Sequence, residues 1–432
     1  MELDLIIQDG LVVTGAGNPW FRADIGVKGD RIAKIGRPSS KAAKKVIEAK
    51  RFVVTPGFID THTHSSLKLM EDPYATPKVM QGVTTEVLGG DGLSVVPTTE
   101  DTVDLLIKLI SGIEGEIEAR WNWTTMNEYH AKLESTGISV NTASLVGNGT
   151  VRLAAVGFEN RPATEEEMET MKSLVARSME EGAFGLSSGL IYPLSMYADK
   201  KELIELCRVL ARYRGIYVTH LRGQGEIIMP AVEEAVEIGE AAGIPVHILH
   251  LRTFGEMIEE VFDVMEGFRE RCVDVTADVH PYIWGSTALM ALLPAWVQEG
   301  GVEELLERLG DSSIRSRLRR EIETGLPGWE NFAKAFGWEN IVVSYCDKNK
   351  DLEGKNLREI AEMRGVDPCE ALLDLIVEEE ASASMIFRQM SEGDVKAIMR
   401  HPAVNFCSDG IYTGKPHPRL YGSFARVLGR YV

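Results

Sequence analysis

Two patterns of hydrophobic and polar positions divide the chain. Over residues 1–52, apolar and polar positions alternate in short runs such as 23–28 and 31–35, which is typical of half-buried strands. Asp9-Gly10 and Gly29-Asp30 stand between such runs and predict hairpin turns. The pattern therefore predicts a small N-terminal β domain over 1–52, in the form of half a β-sandwich.

From residue 53 onward, short apolar runs alternate with amphipathic helical segments. This alternation is typical of βα units around a parallel sheet. Eight such runs predict a TIM-type (β/α)8 barrel of the α/β class, with chemistry expected at the carboxyl ends of its strands. The runs cover 53–60, 83–89, 139–147, 183–188, 216–220, 244–250, 273–280 and 403–409.

The connection between the seventh and eighth runs is too long for a single crossover helix. It contains one strand-like run at 341–345. The rest follows the 3.6-residue helical period, which predicts helices over 302–323, 356–364, 368–380 and 391–400. We therefore expect a barrel domain over 53–432 that carries a helical insertion within 283–400.

Charge and cysteine content exclude several classes of protein. The 46 Lys and Arg against 65 Asp and Glu give a net charge of −19, which argues against binding to nucleic acid or to an anionic membrane. The five scattered cysteines indicate neither a disulfide framework nor a zinc ribbon. The first residues lack the basic and apolar regions of a signal peptide, and no run approaches the ~18–20 apolar residues of a membrane span. We expect a cytoplasmic protein.

Several polar side chains stand at the ends of predicted barrel strands. His62 and His64 close the first strand and share a face, because residues i and i+2 of an extended chain point the same way. His220 and His250 end the fifth and sixth strands, and Asp409 ends the eighth, which barrel closure places beside the first. A single strand-end histidine is more often a hydrogen-bonded structural residue. Five such groups at one rim predict a site for Zn²⁺ or a similar divalent ion.

The segment Pro56-Gly57-Phe58-Ile59-Asp60-Thr61-His62-Thr63-His64, preceded by a small β domain, resembles the metal-dependent amidohydrolase superfamily. Further stretches are similar to the D-aminoacylase (N-acyl-D-amino-acid deacylase) family, and the resemblance covers nearly the whole chain. These stretches are GVTT at 82–85, GAFGLSSGLIY at 182–192, THLR at 219–222, SDG at 408–410 and HPRLYG at 417–422.

The resemblance implies a hydrolase in which zinc polarises an acyl carbonyl and activates water. The ligands that it implies are His62, His64, His220 and His250, together with a residue after the second strand. Asp409 would also contact the metal, and would act as the general base that then protonates the leaving amine.

The residue after the second strand departs from the family pattern. Relatives carry Gly-Asn-Cys-Gly, and this chain has Gly89-Gly90-Asp91-Gly92. A carboxylate at Asp91 would weaken the preference for zinc over other divalent ions. It could also bridge two ions ~3.5–4 Å apart. We therefore expect one or two Zn²⁺ ions or another divalent metal; the alternative is that Asp91 is only a turn residue between glycines.

The resemblance is less specific about the residues that would recognise a substrate carboxylate. Relatives use basic and tyrosyl side chains for it, and the matching residues here are Arg252, Arg419, Tyr192 and Tyr282. Position 252 is usually lysine, and arginine can supply a bidentate fork to a carboxylate. The alternative is that the tyrosines only pack and that Arg419 pairs with an acidic residue.

The function implied by these residues is hydrolysis of a linear amide, namely deacylation of an N-acyl-D-amino acid to a carboxylate and a D-amino acid. A first alternative is hydrolysis of another amide on the same site, either a cyclic amide or a dipeptide-like substrate. A second alternative is a catalytically weakened barrel that serves as a subunit of a two-chain enzyme.

The small β domain raises the question of partners. Only 23 residues follow Asp409, whereas relatives continue with strands that complete the sandwich. A sheet built from 1–52 alone would expose an edge and an apolar face. We expect them to be covered by self-association in a homo-oligomer or by a separate short chain; a shortened sequence is the alternative.

Overall fold

The computed structural model describes residues 2–36, 43–115, 121–412 and 416–432. Two compact units make up the chain, Met1–Phe58 and Ile59–Val432. Within the described ranges, no helix combines the length and the apolar character needed to cross a membrane.

The first unit is a five-stranded sheet with the order β3-β2-β1-β4, in which β5 also pairs with β1. Its small core contains Val12, Ala23 and Ile25, which the alternating pattern turns to one side of the strands. The strands are β1 (Leu3–Val12), β2 (Phe21–Lys28), β3 (Arg31–Gly36), β4 (Ala43–Glu48) and β5 (Val53–Val54).

The two turns predicted for this unit have different outcomes. The turn at Gly29-Asp30 is confirmed, because it joins β2 to β3. The turn at Asp9-Gly10 is wrong: both residues lie inside the continuous strand β1, where the pairing with β2 shifts register between Ile7 and Gly10. Asp9 has a φ of 58°. A β-bulge and a tight hairpin both need this left-handed conformation, so the dipeptide alone does not distinguish them.

Large apolar side chains of the first unit are exposed, as the sequence predicts for a small sheet of this kind. Trp20, Ile32 and Phe52 each leave about two-thirds of their surface open, at 64%, 65% and 66%. Further examples are Phe21, Ile35, Val46, Ile47 and Val53. An apolar surface of this extent usually marks a contact with another chain. The covering partner itself stays a prediction.

The second unit contains the barrel. In order around the sheet its strands are β17-β13-β12-β11-β10-β9-β8-β6. The eight predicted runs are confirmed, except that the start of the first run, Val53–Val54, pairs with β1 of the small sheet. The strands of this unit are β6 (Phe58–Asp60), β7 (Thr63–His64), β8 (Val83–Leu88), β9 (Asn141–Gly147), β10 (Gly185–Gly189), β11 (Ile216–His220), β12 (Val246–Ile248), β13 (Val275–Val279), β14 (Trp284–Ala288), β15 (Ile341–Tyr345), β16 (Ser384–Arg388), β17 (Val404–Phe406) and β18 (Gly410–Ile411).

The helices of the second unit follow the predicted amphipathic segments, and their apolar sides form one core with the barrel strands. Thr164 begins one helix through a capping box with Glu167, while Asp311 caps a new helix and divides the predicted segment 302–323 in two. The helices are α1 (Thr76–Val79), α2 (Val103–Glu114), α3 (Met126–Thr136), α4 (Asn148–Ala155), α5 (Glu165–Glu180), α6 (Lys200–Ala211), α7 (Ile228–Ala242), α8 (Met257–Glu270), α9 (Val302–Leu309), α10 (Ser312–Thr324), α11 (Phe332–Phe336), α12 (Leu357–Arg364), α13 (Pro368–Glu378), α14 (Glu392–Met399) and α15 (Arg419–Arg426).

The insertion between the seventh and eighth barrel strands is not purely helical. Besides helices α9 to α14, it contains an antiparallel sheet with the order β14-β16-β15. The sequence predicted β15 but missed β14 and β16. β14 reads Trp-Gly-Ser-Thr-Ala, and its Gly, Ser and Ala weaken the β-branched and aromatic enrichment by which a short strand is recognised.

A buried polar network joins the first and last barrel strands. The Lys78 ammonium lies 2.5 Å from Asp60 Oδ2, 2.5 Å from Thr63 Oγ1 and 2.7 Å from Ser408 Oγ. The Ser408 amide donates to Asp60 Oδ1 at 2.8 Å. All four side chains are fully buried. Together with the parallel pair β7–β18, this network sets the carboxyl ends of strands one and eight side by side.

Removal of the Lys78 charge tests this network. Lys78→Met keeps most of the side-chain volume and leaves the buried Asp60 carboxylate unpaired, so we expect a loss of ~3–5 kcal/mol in the free energy of unfolding. Chemical denaturation measures it. The control is Lys108→Met, because Lys108 forms an exposed pair with Glu303, where little change is expected. Equal stability of the two variants would contradict a structural role for Lys78.

Glutamate substitutions in the exposed sheet test the prediction that the chain self-associates. The double variant Ile32→Glu and Phe52→Glu should abolish self-association of the chain, because a partner that covers these exposed side chains would have to bury two carboxylates. Sedimentation velocity measures the change. Met363→Glu, at an exposed apolar residue of α12, is the matched control. A wild-type chain that sediments as a 47.7 kDa monomer would overturn the self-association.

Candidate metal centre

The six predicted ligands converge at the carboxyl end of the barrel, and all are buried. Each lies at a strand end or in the first residues after one, where the fold directs side chains into the barrel mouth. His62 lies between β6 and β7, His64 ends β7, Asp91 follows β8, His220 ends β11, His250 follows β12 and Asp409 precedes β18.

The Asp91 carboxylate stands between two pairs of histidines. Its Oδ2 atom lies 3.6 Å from His62 Nε2 and 3.5 Å from His64 Nε2. Its Oδ1 atom lies 3.4 Å from His220 Nδ1 and 3.6 Å from His250 Nε2. The carboxylate therefore faces one pair with each oxygen, which is the arrangement needed to bridge two cations.

Asp409 adds a second carboxylate on one side of this arrangement. Its Oδ1 atom lies 3.7 Å from His62 Nε2 and 3.5 Å from His64 Nε2. Two ligand atoms that each lie ~2.1 Å from a tetrahedral ion are separated by about 3.4 Å, close to the spacings seen here. Two groups are compact enough to hold an ion, His62 with His64 and Asp409, and His62 with Asp91 and His250.

Unpartnered buried nitrogens also fit a cation. Within the described ranges, no hydrogen bond reaches either ring nitrogen of His220, His62 Nδ1 or Asp91 Oδ1, although Asp91 Oδ1 and His220 Nδ1 approach to 3.4 Å. Buried polar atoms without partners cost free energy, so a group of them in one place fits a bound cation. Imidazole nitrogens and carboxylate oxygens are donors that suit divalent zinc and related metals.

The backbone is unusual at three of these residues. Asp91, His250 and Asp409 have φ values of 56°, 32° and 47°, in the left-handed region that side-chain-bearing residues seldom occupy outside functional sites. The lack of a side chain at Gly189 leaves room for the Asp91 backbone, because a Cβ atom on residue 189 would lie 2.0 Å from the Asp91 carbonyl oxygen. Asp91 is thus both a turn residue and a member of the cluster.

Two side chains that the sequence analysis missed contact the ligand rings. Glu114 Oε1 lies 3.2 Å from His64 Nδ1, and the Gln224 amide lies 3.1 Å from His250 Nδ1. Contacts of this kind fix the tautomer and orientation of a ligating histidine. Glu114 ends α2 and Gln224 lies in the loop after β11, so neither follows a strand-end pattern that sequence reasoning could use.

Burial and charge together set the ionisation of the centre. Burial raises the pKa of Asp409, but Arg419 and His64 outweigh it and hold that pKa well below the usual range. Burial also raises the pKa of Asp91, but His62 and His220 outweigh this effect and hold that pKa well below its ordinary value of 3.8. Burial and the nearby Arg252 charge lower the pKa of His250 to about 3. Ionised carboxylates and a neutral imidazole are the forms that bind a metal.

Two guanidinium groups contact the second carboxylate oxygen of Asp409, Oδ2. Arg252 Nη2 and Arg419 Nη1 each lie 2.6 Å from Asp409 Oδ2. Arg419 is fully buried and also donates to the Ser286 carbonyl at 3.3 Å. These arginines therefore meet at the metal cluster, where they could contact an anionic group placed beside Asp409.

The two tyrosines have different positions. Tyr192 lines the same small cavity as His64, Arg252 and Asp409, and its hydroxyl lies 3.0 Å from Thr287 Oγ1. Tyr282 is half-buried and donates to the Pro418 carbonyl at 3.3 Å. Its ring contacts His417 with centroids 5.2 Å apart. The structure thus brings Tyr192 to the cavity and packs Tyr282 against the segment before α15.

Comparison with known proteins reveals similarity over nearly the full chain. The model of the amidohydrolase family matches residues 45–431. Among curated proteins, the D-aminoacylase of Alcaligenes xylosoxydans xylosoxydans is 34% identical over 99% of this chain and 79% of its own length.

Solved structures show the same likeness. N-acyl-D-glutamate deacylase from Bordetella bronchiseptica, complexed with zinc and a phosphonate mimic of the tetrahedral intermediate, has a TM-score of 0.81 and 30% identity, covering 100% of this chain and 81% of that chain. A structure of D-aminoacylase, which has a binuclear metal centre, gives a TM-score of 0.79 at 32% identity. The match covers 99% of this chain and 81% of that chain.

Asp91→Asn tests whether the carboxylate holds metal. Asparagine tolerates the left-handed backbone but removes the negative charge, so we expect the metal bound per chain to fall, and Asp91→Ala to lower it at least as far. Elemental analysis of purified protein measures the content. Asp9→Asn, at another aspartate with positive φ, is the control and should keep full occupancy. Full occupancy in both Asp91 variants would leave Asp91 a turn residue only.

Proposed function

Because this chain belongs to the amidohydrolase family, we propose that it hydrolyses the amide bond of an N-acyl-D-amino acid, yielding a carboxylate and a D-amino acid. The observation that carries the proposal is the Asp91 carboxylate between two histidine pairs, with Asp409 at the same cluster. Two relatives that are similar over the full length of this chain are an N-acyl-D-glutamate deacylase and an N-acyl-D-aspartate deacylase, which supports this substrate class.

In this proposal His62, His64, His220 and His250 hold the metal together with Asp91. When bound, a divalent cation polarises a carbonyl and lowers the pKa of a water molecule. The two oxygens of Asp91 face different histidine pairs, which supports room for two ions rather than one. Zinc is the proposed metal, and the hard oxygen of Asp91 would admit other divalent ions.

Asp409 is placed to move the proton in this reaction. Its Oδ1 faces the histidine cluster while Arg252 and Arg419 fix its Oδ2. The ionised carboxylate would take a proton from water as the new carbon–oxygen bond forms, and would pass that proton to the amide nitrogen as the carbon–nitrogen bond breaks. Proton transfer by a positioned side chain contributes ~10²–10⁴-fold to a rate.

Arg252, Arg419 and Tyr192 would bind the α-carboxylate of the substrate. The two guanidinium groups share one carboxylate oxygen of Asp409, so each retains donors for a second anion. Such a pair favours a linear substrate with a free carboxylate over a cyclic amide, which lacks one. Tyr282 would have no direct contact with that carboxylate, since its hydroxyl bonds to Pro418.

The alternative of a barrel with weakened catalysis is disfavoured by the same geometry. A subunit without activity gains nothing from six buried metal-binding side chains around one centre, because unpaired buried polar groups lower stability. Their retention together with Asp409 and both arginines supports an active hydrolase.

Paired N-acetyl-D- and N-acetyl-L-amino acids test the substrate class. We expect the metal-loaded protein to release acetate from D-substrates, and the esters of those substrates, which lack the free carboxylate, to have lower kcat/KM. Product assays on both series measure the preference. Hydrolysis of a cyclic amide with no release from any N-acetyl-D-amino acid would favour the alternative amide substrate.

Asp409→Asn tests the proton-transfer role. The variant should turn over at least ~10²-fold more slowly, and metal analysis should show metal still bound by the remaining ligands. Asp263→Asn, on the exposed side of α8, is the control and should keep full activity. Unchanged turnover in the folded Asp409→Asn protein would refute the role assigned to Asp409.

A further inference from the structure

We propose that Glu114 is a positioning residue for the metal centre, which holds the His64 ring and ties it to the last turn of helix α2. The inference rests on the proposed metal-dependent function. Glu114 ends α2 and is 1% exposed. Its Oε1 atom lies 3.2 Å from His64 Nδ1, and its Oε2 atom accepts a hydrogen bond from the Ser66 amide at 3.0 Å.

The burial of this carboxylate needs a physical explanation. An ionised carboxylate loses several kcal/mol of hydration when it is buried, unless charge and hydrogen bonds replace the water. The contacts that the described residues give Glu114 are an imidazole and a backbone amide, while the buried Lys78 is engaged with Asp60. Positive charge at His64, carried by a bound cation or by the ring itself, would stabilise the buried carboxylate, so the contact with His64 accounts for the position of Glu114.

The two contacts of Glu114 act on the same short segment. Since an ionised carboxylate only accepts hydrogen bonds, the ring must donate from Nδ1. His64 Nε2 is then left facing the Asp91 and Asp409 carboxylates at 3.5 Å from each. The bond from Ser66 anchors the backbone that follows His64. Glu114 therefore fixes both the tautomer and the position of one proposed ligand.

The last turn of α2 also forms a wall of the site. Ile113 lines the small cavity that contains His64, Asp91 and Asp409. Gly112 lines an adjoining cavity, and the two cavities share Ser286 and Ile411. A shift of this turn would change the cavity and the His64 contact together. The structure thus couples the position of α2 to the geometry of the metal ligand.

The test is a zinc titration of the metal-free protein. Glu114→Gln keeps the size of the side chain and one acceptor oxygen but loses the charge, and Glu114→Ala removes the contact. Losing an outer partner of a ligating histidine costs ~10–100-fold in metal affinity. We expect such a loss for Glu114→Ala and a smaller one for Glu114→Gln. Competition with a chromophoric chelator measures Kd for zinc, and the visible spectrum of the cobalt-loaded protein reports ligand geometry.

Glu202→Gln is the matched control. Glu202 is another buried carboxylate, on α6, and it pairs with Arg152. Loss of the Glu202 charge should lower the Tm of the metal-free protein and leave zinc affinity unchanged. For Glu114→Gln the expectation is the reverse, with a weaker Kd, an altered cobalt spectrum and a nearly unchanged Tm without metal.

Two results would overturn the proposal. One is wild-type zinc affinity in both Glu114 variants. The other is a Glu114→Gln protein whose cobalt spectrum is native and whose metal-free Tm falls as in the control, which would make Glu114 a structural residue only. Because the readout is metal binding, a wild-type protein inactive on N-acyl-D-amino acids would refute the proposed function without deciding the role of Glu114.

Discussion

The buried ammonium of Lys78 is the contact on which the metal centre depends. It joins Asp60 and Thr63, the residue between His62 and His64, to Ser408, which precedes Asp409. The Asp409 amide then donates to the His62 carbonyl at 2.9 Å. A buried ion pair adds little net stability compared with an apolar contact, but breaking it leaves a costly charge. It therefore acts chiefly by allowing one alignment of the first and last strands.

Charge balance is the second constraint. Three buried carboxylates, Asp91, Asp409 and Glu114, face two guanidinium groups, Arg252 and Arg419. Burial lowers the pKa values of His62 and His64, but Asp91 and Asp409 outweigh it and hold both above the ordinary value, so a cation bound here would take the place of protons on these rings. The arginines contact Oδ2 of Asp409 while its Oδ1 faces His62 and His64, so the two oxygens of this carboxylate have different neighbours within one small cavity.

Periodicity and strand-end residues predicted the barrel well, and other features poorly. Each barrel run was recognisable because strand and helix alternate with different periods, and His62, His220 and Asp409 were placed by that alternation alone. The bulge at Asp9-Gly10 and the strands β14 and β16 were not. Their local signals are shared by other structures. A left-handed dipeptide suits a turn or a bulge, the Gly-Ser-Thr-Ala part of β14 suits a loop, and a short run such as Met-Ile-Phe in β16 is as compatible with a helix as with a strand.

By itself the sequence determined the barrel, the histidine pairs and the acid at the end of strand eight, because these follow from the period of the chain and the chemistry of single side chains. The family resemblance added the roles of Asp91 and the arginines. Only the tertiary structure decided that Asp91 stands between the two histidine pairs, that Arg252 and Arg419 meet on one oxygen of Asp409, and that Glu114 contacts His64 from a helix 50 residues away. These are distances between segments far apart in the chain, and no local pattern encodes them.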